Sequence, residues 1–492
     1  MNRKFKITRI AAYIISIIIV AAVIFSHGTL TPPRIVMAVL AILIGVPGML
    51  FLDRIADKKA YGSASCADKV PVTNSTEHKT LFADHIGNPF KALNAPKIAI
   101  LLVITAAAAA VRIVFYPFAS ADYVMFQVDW HATIAGHGLN ALGMRFGDYS
   151  PLYSTVFALL CQTGLSVMFI TKFIPMLFDL FLAIAATAVG HEVMGGDSTF
   201  VKRTIIYGLV LLNPLTVLNA SCWAQCDSMY TTFVLLCLYV LIRCCRNVSR
   251  YGGDMAVIFL AIAFSLKFQT VLFFPFIFFV WLMQPRKYVR VTQAVWFPVI
   301  YFATCIPMFL YGRTIEDMLG VYFGQMGEYD TILTLRYPNI YTIMGLFVKD
   351  PPYILGKLGM LFTAVILVGI YLVLFAGKAE LTPKLMLKTA GMSVLIAVYF
   401  LPSMHERYAY IGEMLILVIA VLDRKYIIPA VATITVTMFA YIDYLLYYYE
   451  LKMPPDIIFS LVRLAVIVFM ILDVLKSAKG INVQSADGNY GL

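Results

Sequence analysis

Between Tyr116 and Tyr153 the chain reads YPFASADYVMFQVDWHATIAGHGLNALGMRFGDYSPLY, a polar stretch between two apolar runs. It carries Asp122, Asp129 and Asp148 among histidines and aromatics. Further on, NPLTVLNASCWAQCDSMY offers Asn219, Trp223, Gln225 and Asp227. AFSLKFQTV sets Lys267 and Gln269 inside an apolar run, and LPSMHERY lines up His405, Glu406, Arg407 and Tyr408. Carboxylates therefore come early and cationic donors late. A carboxylate can take a proton from a hydroxyl. Lys, Arg and His can neutralise a phosphate, arginine with a bidentate fork. Together these groups are equipped to move a group from a lipid phosphate to an alcohol at a membrane surface.

Each group also has a plainer reading. Asp122 precedes a short helix and serves equally well as its cap or as a base. Asp129 follows seven residues later, on about the same helical face. Asp148 suits a cap for a helix starting at Pro151. A cap also accounts for Asp227, and an interfacial belt for Trp223; neither accounts for Gln225. Lys267 could snorkel or hold an anionic headgroup, since charges inside apolar runs tend to be functional. Glu406 and Arg407 could pair with each other at a helix start or form a phosphate site. The eight cysteines follow no disulfide or zinc spacing, so Cys222 and Cys226 read as reduced, packed thiols. Neither a metal ligand set nor a cofactor is expected.

The elements that must hold these groups are membrane helices. The chain is 61% hydrophobic and 13% charged, with mean hydropathy +0.84, against about 25% charged residues in soluble chains. Many runs reach the roughly 20 apolar residues that a span needs. The reading is an all-α polytopic membrane protein. Its net charge of +11 collects in cytoplasmic loops and implies no nucleic acid. The apolar run near 8–27 is the first span, not a cleaved signal. Basic loops put both termini in the cytoplasm and the polar clusters outside, with about 14 crossings. Parity requires one of the segments 150–170 and 172–190 to be partial. Apolar residues at 125, 126, 130 and 134 suit a short amphipathic helix on the outer surface, stopped by the glycines of GHG. The chain divides into an N-terminal transmembrane hairpin (1–52), a cytoplasmic linker (53–96), a catalytic core (97–425), C-terminal transmembrane helices (426–475) and a cytoplasmic tail (476–492). Loop 312–354 reads as a lid or acceptor cradle, with Arg336 and Asn339 as its candidate contacts.

The pieces SADYVMFQVDW, GDYSPLY, NASCWAQCDSMY, FSLKFQ, YPNIYTIMG and MHERY, in this order over about 95–415, resemble the GT-C superfamily of polytopic glycosyltransferases. The nearer likeness is to bacterial proteins related to GPI mannosyltransferase II. The dolichyl-phosphate-glucose glucosyltransferases of the ER are more distantly similar. The resemblance implies a GT-C-like fold with short outer-surface helices in the first large external loop. It also implies a bacterial plasma-membrane enzyme active on its outer face. That enzyme would move a hexose of the mannose or glucose class, with inversion and without an essential metal. The donor would be a polyprenyl-phosphate sugar and the acceptor a glycan, lipid-linked or protein hydroxyl, with membrane lipids around it. The family's base matches Asp122. This chain departs from the ER pattern in having Arg407 where those enzymes have lysine. Its acidic residue also stands one place further from the tryptophan. Lys267, His405 and Arg407 are then expected on the donor phosphate. Asp129, Trp130, Tyr149, Gln225, Asp227, Gln269, Arg336, Asn339 and Glu406 are expected around the substrates. Two other readings stand beside this one. A lipid or polysaccharide flippase is favoured by Lys267 but opposed by one-sided polar clusters and the lack of a repeat. A polysaccharide polymerase or ligase would use the same carriers.

Overall fold

A computed structural model of the chain describes residues 93–246, 251–284, 287–327, 332–347, 354–447 and 453–486. The hairpin 1–52, nearly all of the linker 53–96 and the last six residues of the tail lie outside the described residues.

The molecule is a helical bundle. Its helices are α1 (Ala95–Phe115), α2 (Val128–His137), α3 (Pro151–Cys161), α4 (Val167–Met194), α5 (Phe200–Leu211), α6 (Pro214–Val217), α7 (Asp227–Arg246), α8 (Gly252–Leu266) and α9 (Phe274–Met283). There follow α10 (Trp296–Leu310), α11 (Ile315–Gly327), α12 (Ile340–Met344), α13 (Ile354–Ala376), α14 (Pro383–Phe400), α15 (Tyr410–Leu422), α16 (Ile427–Leu445) and α17 (Asp456–Ala486). Eight helical segments among the described residues are long and apolar enough to cross a membrane, or nine if the bent pair around α5 and α6 counts as one span. α7 and α14 are buried along most of their length, whereas α1 is mostly exposed. An apolar helix exposed in this way needs lipid around it.

Helix starts follow local chemistry. Asn94 caps α1 through Lys97 N–H, and Ser166 caps α4 through Phe169 N–H. α3 spans 11 residues, about 16 Å at 1.5 Å per residue, too short for a core of roughly 30 Å. The next helix, α4, is long and apolar enough to cross one. The long apolar run 255–284 resolves into α8, a break at Lys267 in extended backbone, a short 3₁₀ stretch and α9.

Two helices give the site its frame. α14 and α16 both run from a cluster of charges around Lys388, Lys425 and Asp473 to the loops that carry Glu406 and Asp122. α16 has 19 residues, about 28 Å, close to the thickness of a bilayer core. Beside the site the described residues make one small sheet. Strand β1 (Thr334–Leu335) pairs in parallel with β2 (Met404–His405), Thr334 opposite Met404 and Leu335 opposite His405. The loop expected as a cradle is thus pinned to the MHERY segment.

Candidate functional site

The polar segment after α1 does not form one regular helix. Tyr123–Gln127 is a π-turn in which Val128 N–H bonds Tyr123 O, and α2 continues from it. π-turns fit more residues into each turn than an α-helix and recur at functional sites. The expected register is therefore lost. Trp130 and Ile134 are buried, but Met125 and Phe126 are exposed. Asp122 is buried and Asp129 exposed, so the two do not share a face. As expected, the helix stops at Gly138, which has positive φ.

Asp122 is not a cap. Its side chain makes no capping bond; Ser120 Oγ takes that place, accepting from Tyr123 N–H. Asp122 Oδ2 instead accepts from Trp223 Nε1 and Gln225 Nε2, each at 2.8 Å. Oδ1 accepts from the Tyr444 hydroxyl. All three donors are neutral. An ionised carboxylate has about four acceptor positions, so one remains.

Behind Asp122 lies a closed relay. Gln225 Oε1 accepts from Tyr149 OH at 2.8 Å and from Lys267 Nζ at 3.3 Å. Lys267 forms an ion pair with Asp227, whose Oδ2 accepts from Asn219 Nδ2 at 2.7 Å. Tyr149 also packs edge-on against Trp130, ring centres 5.1 Å apart. Lys267 therefore neither snorkels nor reaches outward: at 6% exposure it is committed to Asp227. Asp227, read as a cap, is its counter-ion. Trp223 is no interfacial anchor either. It is buried and stacks on Tyr444, ring centres 4.5 Å apart.

The MHERY segment differs. Glu406 is buried, and neither carboxylate oxygen has a hydrogen-bond partner among the described residues. It pairs with His405 Nδ1 at 3.6 Å and not with Arg407. The Arg407 guanidinium lies over the Trp223 ring at 5.6 Å. Its Nε is buried without a hydrogen-bond partner among the described residues. Burial opposes the Arg407 charge, but Asp227, Tyr149, Tyr408 and Asp122 outweigh it and hold the group above the usual arginine range. Gln269 lies within hydrogen-bonding reach of Tyr408, and its Oε1 is likewise buried without a partner among the described residues.

The other expected contacts divide. Arg336, with positive φ, bridges to His405 through the backbone. Its guanidinium lies over Tyr447 at 4.8 Å and Tyr444 at 5.5 Å, with Asp443 at 3.4 Å. Asn339 is buried as the cap of α12. Asp148 is exposed, and α3 begins at Ser150 without a side-chain cap bond. Cys222 and Cys226 are buried free thiols. Among the described residues, no cluster of three or more His, Cys, Asp or Glu could hold a metal.

Sequence reasoning passed over Tyr444 and Tyr441, which reach the site from α16, beyond the boundary drawn at 425. Tyr441 packs edge-on against Trp223, and its OH lies 3.4 Å from Asn219 Nδ2. The aromatic run after 440 was their only signal. Reasoning also passed over the brace beneath the polar stretch. There Lys172 Nζ donates to Tyr116 O and Phe118 O at 2.8 and 2.5 Å. Between α1 and α4, Arg112 pairs with Asp179 at 2.9 Å. Charges inside the apolar runs 97–117 and 167–194 were the signal available.

No family model matches the chain, and no curated protein or solved structure matches it.

Proposed function

We propose that the chain is a membrane glycosyltransferase in which Asp122 is the general base and Arg407 receives a phosphate. The carrying observation is the pairing of opposites across Trp223. Among the described residues, its indole N–H holds a buried carboxylate bound only by neutral donors, and its face lies under an arginine with an unsatisfied nitrogen. Beside them the open oxygens of Glu406 and Gln269 can accept from sugar hydroxyls. An unpartnered buried polar atom is costly, so a polar ligand that satisfies these groups is favoured.

In this reading a hydroxyl of the acceptor donates to the remaining position on Asp122. Its oxygen attacks C1 of a hexose of the mannose or glucose class as the proton passes to the carboxylate. The bond from C1 to the phosphate oxygen breaks on the opposite side, which inverts the anomeric centre. The phosphate departs on its polyprenyl chain with the bonding electrons, and Arg407 with His405 neutralises it. A preorganised cation in a partly dry site stabilises such a developing charge strongly. Lys267 takes a different part from the one expected: it fixes Gln225 and Asp227 and so aims Gln225 at Asp122. The site faces outward across about 14 spans, the N-terminal hairpin included, with both ends in the cytoplasm of a bacterial plasma membrane.

Purified protein in liposomes, given a polyprenyl-phosphate hexose and an extract of membrane glycolipids, should form a glycosylated product that survives EDTA. Movement of the intact donor across the bilayer with no cleavage of the sugar–phosphate bond would replace this reading with a flippase.

A further inference from the structure

A second cationic centre lies away from Asp122, where the first outer loop meets the turn between α10 and α11. Gly143 packs so tightly on that turn that a Cβ there would come within 2.1 Å of Tyr311 O. Gly312 turns the chain with φ +89°, and Arg313 follows. Arg313 is only 3% exposed. Among the described residues its Nη1 meets only the sulfur of Met308, at 3.5 Å, a weak acceptor. Its Nε and Nη2 are buried with no partner among the described residues. Burial pulls this guanidinium below its usual range; Asp317 opposes that, and the nearby charge of Arg145 adds to it. Tyr301 from α10 also faces it, but its hydroxyl is taken up by Met318 O at 2.6 Å. Asp317 is exposed and forms no ion pair with Arg313 among the described residues. Arg145, exposed on the segment that Gly143 seats against Tyr311, thus adds a second nearby cation to an arginine with at least two unused donors.

A buried arginine in this state is costly unless an anion completes it. The rim suggests how the anion arrives. Met144, Phe309, Leu310 and Tyr311 are all exposed, Leu310 by 75%. Apolar side chains at the end of a spanning helix sit where lipid tails begin.

We propose that Arg313 and Arg145 form an anion site for a lipid-borne phosphate, with the lipid chain lying against Phe309 and Leu310. Such a lipid would bind whatever chemistry occurs at Asp122. A guanidinium pair suits a phosphate monoester, which offers several oxygens to bidentate donors.

The test uses the full chain in nanodiscs of phosphatidylcholine, with phosphatidic acid or inorganic phosphate added. Binding is read by native mass spectrometry and by melting temperature. Phosphatidic acid should bind and raise the melting temperature, while inorganic phosphate at equal concentration should not. Arg313→Gln and Arg145→Gln should each weaken phosphatidic acid binding, Arg313→Gln by about 30-fold or more. Arg313→Gln should melt no lower than the parent in phosphatidylcholine alone, because it removes an unpaired buried charge. That keeps loss of binding separate from loss of fold. Equal phosphatidic acid binding by the parent and both variants would overturn the site. Stabilisation by inorganic phosphate, abolished in Arg313→Gln, would keep the anion site and overturn the lipid as its source.

Discussion

α16 joins two buried carboxylates that are held in opposite ways. At its start, Asp473 accepts from Lys388 and Tyr426 at 2.6 and 2.7 Å and from Lys425. Asp423 adds pairs to Lys388 at 3.0 Å and to Lys384 at 3.6 Å. At the other end, Asp122 accepts from an indole, an amide and a phenol. Cations on every side make the first cluster a staple between α14, the turn before α16 and α17. A proton taken up by Asp473 would cost it the attraction of two lysines. Neutral donors around Asp122 fix its position without spending its charge, and the nearby cation faces the Trp223 ring instead. In the proposed reading the same residue type is a fastener at one end and a reactive group at the other, and the partners decide which.

This contrast can be broken or sharpened by substitution. The largest effect is expected at Asp122. In Asp122→Asn the amide oxygen can still accept from Trp223 and Gln225, and its NH₂ can donate to Tyr444, so melting should barely change. Turnover should fall about 10²–10⁴-fold, the usual range for a lost general base. Asp473→Asn should do the reverse. It leaves Lys388, 2% exposed, with Asp423 as its remaining counter-charge, and about 1.5–3 kcal/mol of stability should be lost. The fraction that stays folded should keep its turnover. Chemical denaturation beside a transfer assay separates the two variants.

Arg407→Ala comes next. Donor affinity should drop by about 30-fold or more, with Lys at this position restoring only part because a point charge replaces the fork. Equilibrium binding of a polyprenyl-phosphate sugar reads this directly. Tyr444→Phe removes one hydrogen bond to a charged group, worth about 1.5–3 kcal/mol, and should slow transfer about tenfold without altering donor binding. The smallest effect is expected at Asp129. It is exposed, so Asp129→Asn should leave turnover within about twofold of the parent.

Much of the frame was legible because membrane burial writes itself as long apolar runs. Lys267 could be picked out by its setting, and the region 150–190 by its apolarity, though not its division into one short helix and one long one. Partners were harder to read. Asp227 and Lys267 stand 40 residues apart, and nothing local says that one answers the other. Tyr444 meets Asp122 across 322 residues, a closure that only the packed bundle provides. The face shared by Asp122 and Asp129 was misread for a local reason. Helical spacing assumes an α-helix, and the π-turn at Tyr123–Gln127 shifts every later residue around the axis.

The central claim is that Asp122 acts on the proton of the acceptor and not on the donor. It is tested most directly by measuring donor dissociation and single-turnover transfer in the same Asp122→Asn preparation. The account predicts a dissociation constant within about twofold of the parent and a transfer rate lower by about 10²-fold or more, since the lost interaction belongs to the transition state. Transfer at the parental rate, or a rate loss matched by an equal loss of donor affinity, would contradict it.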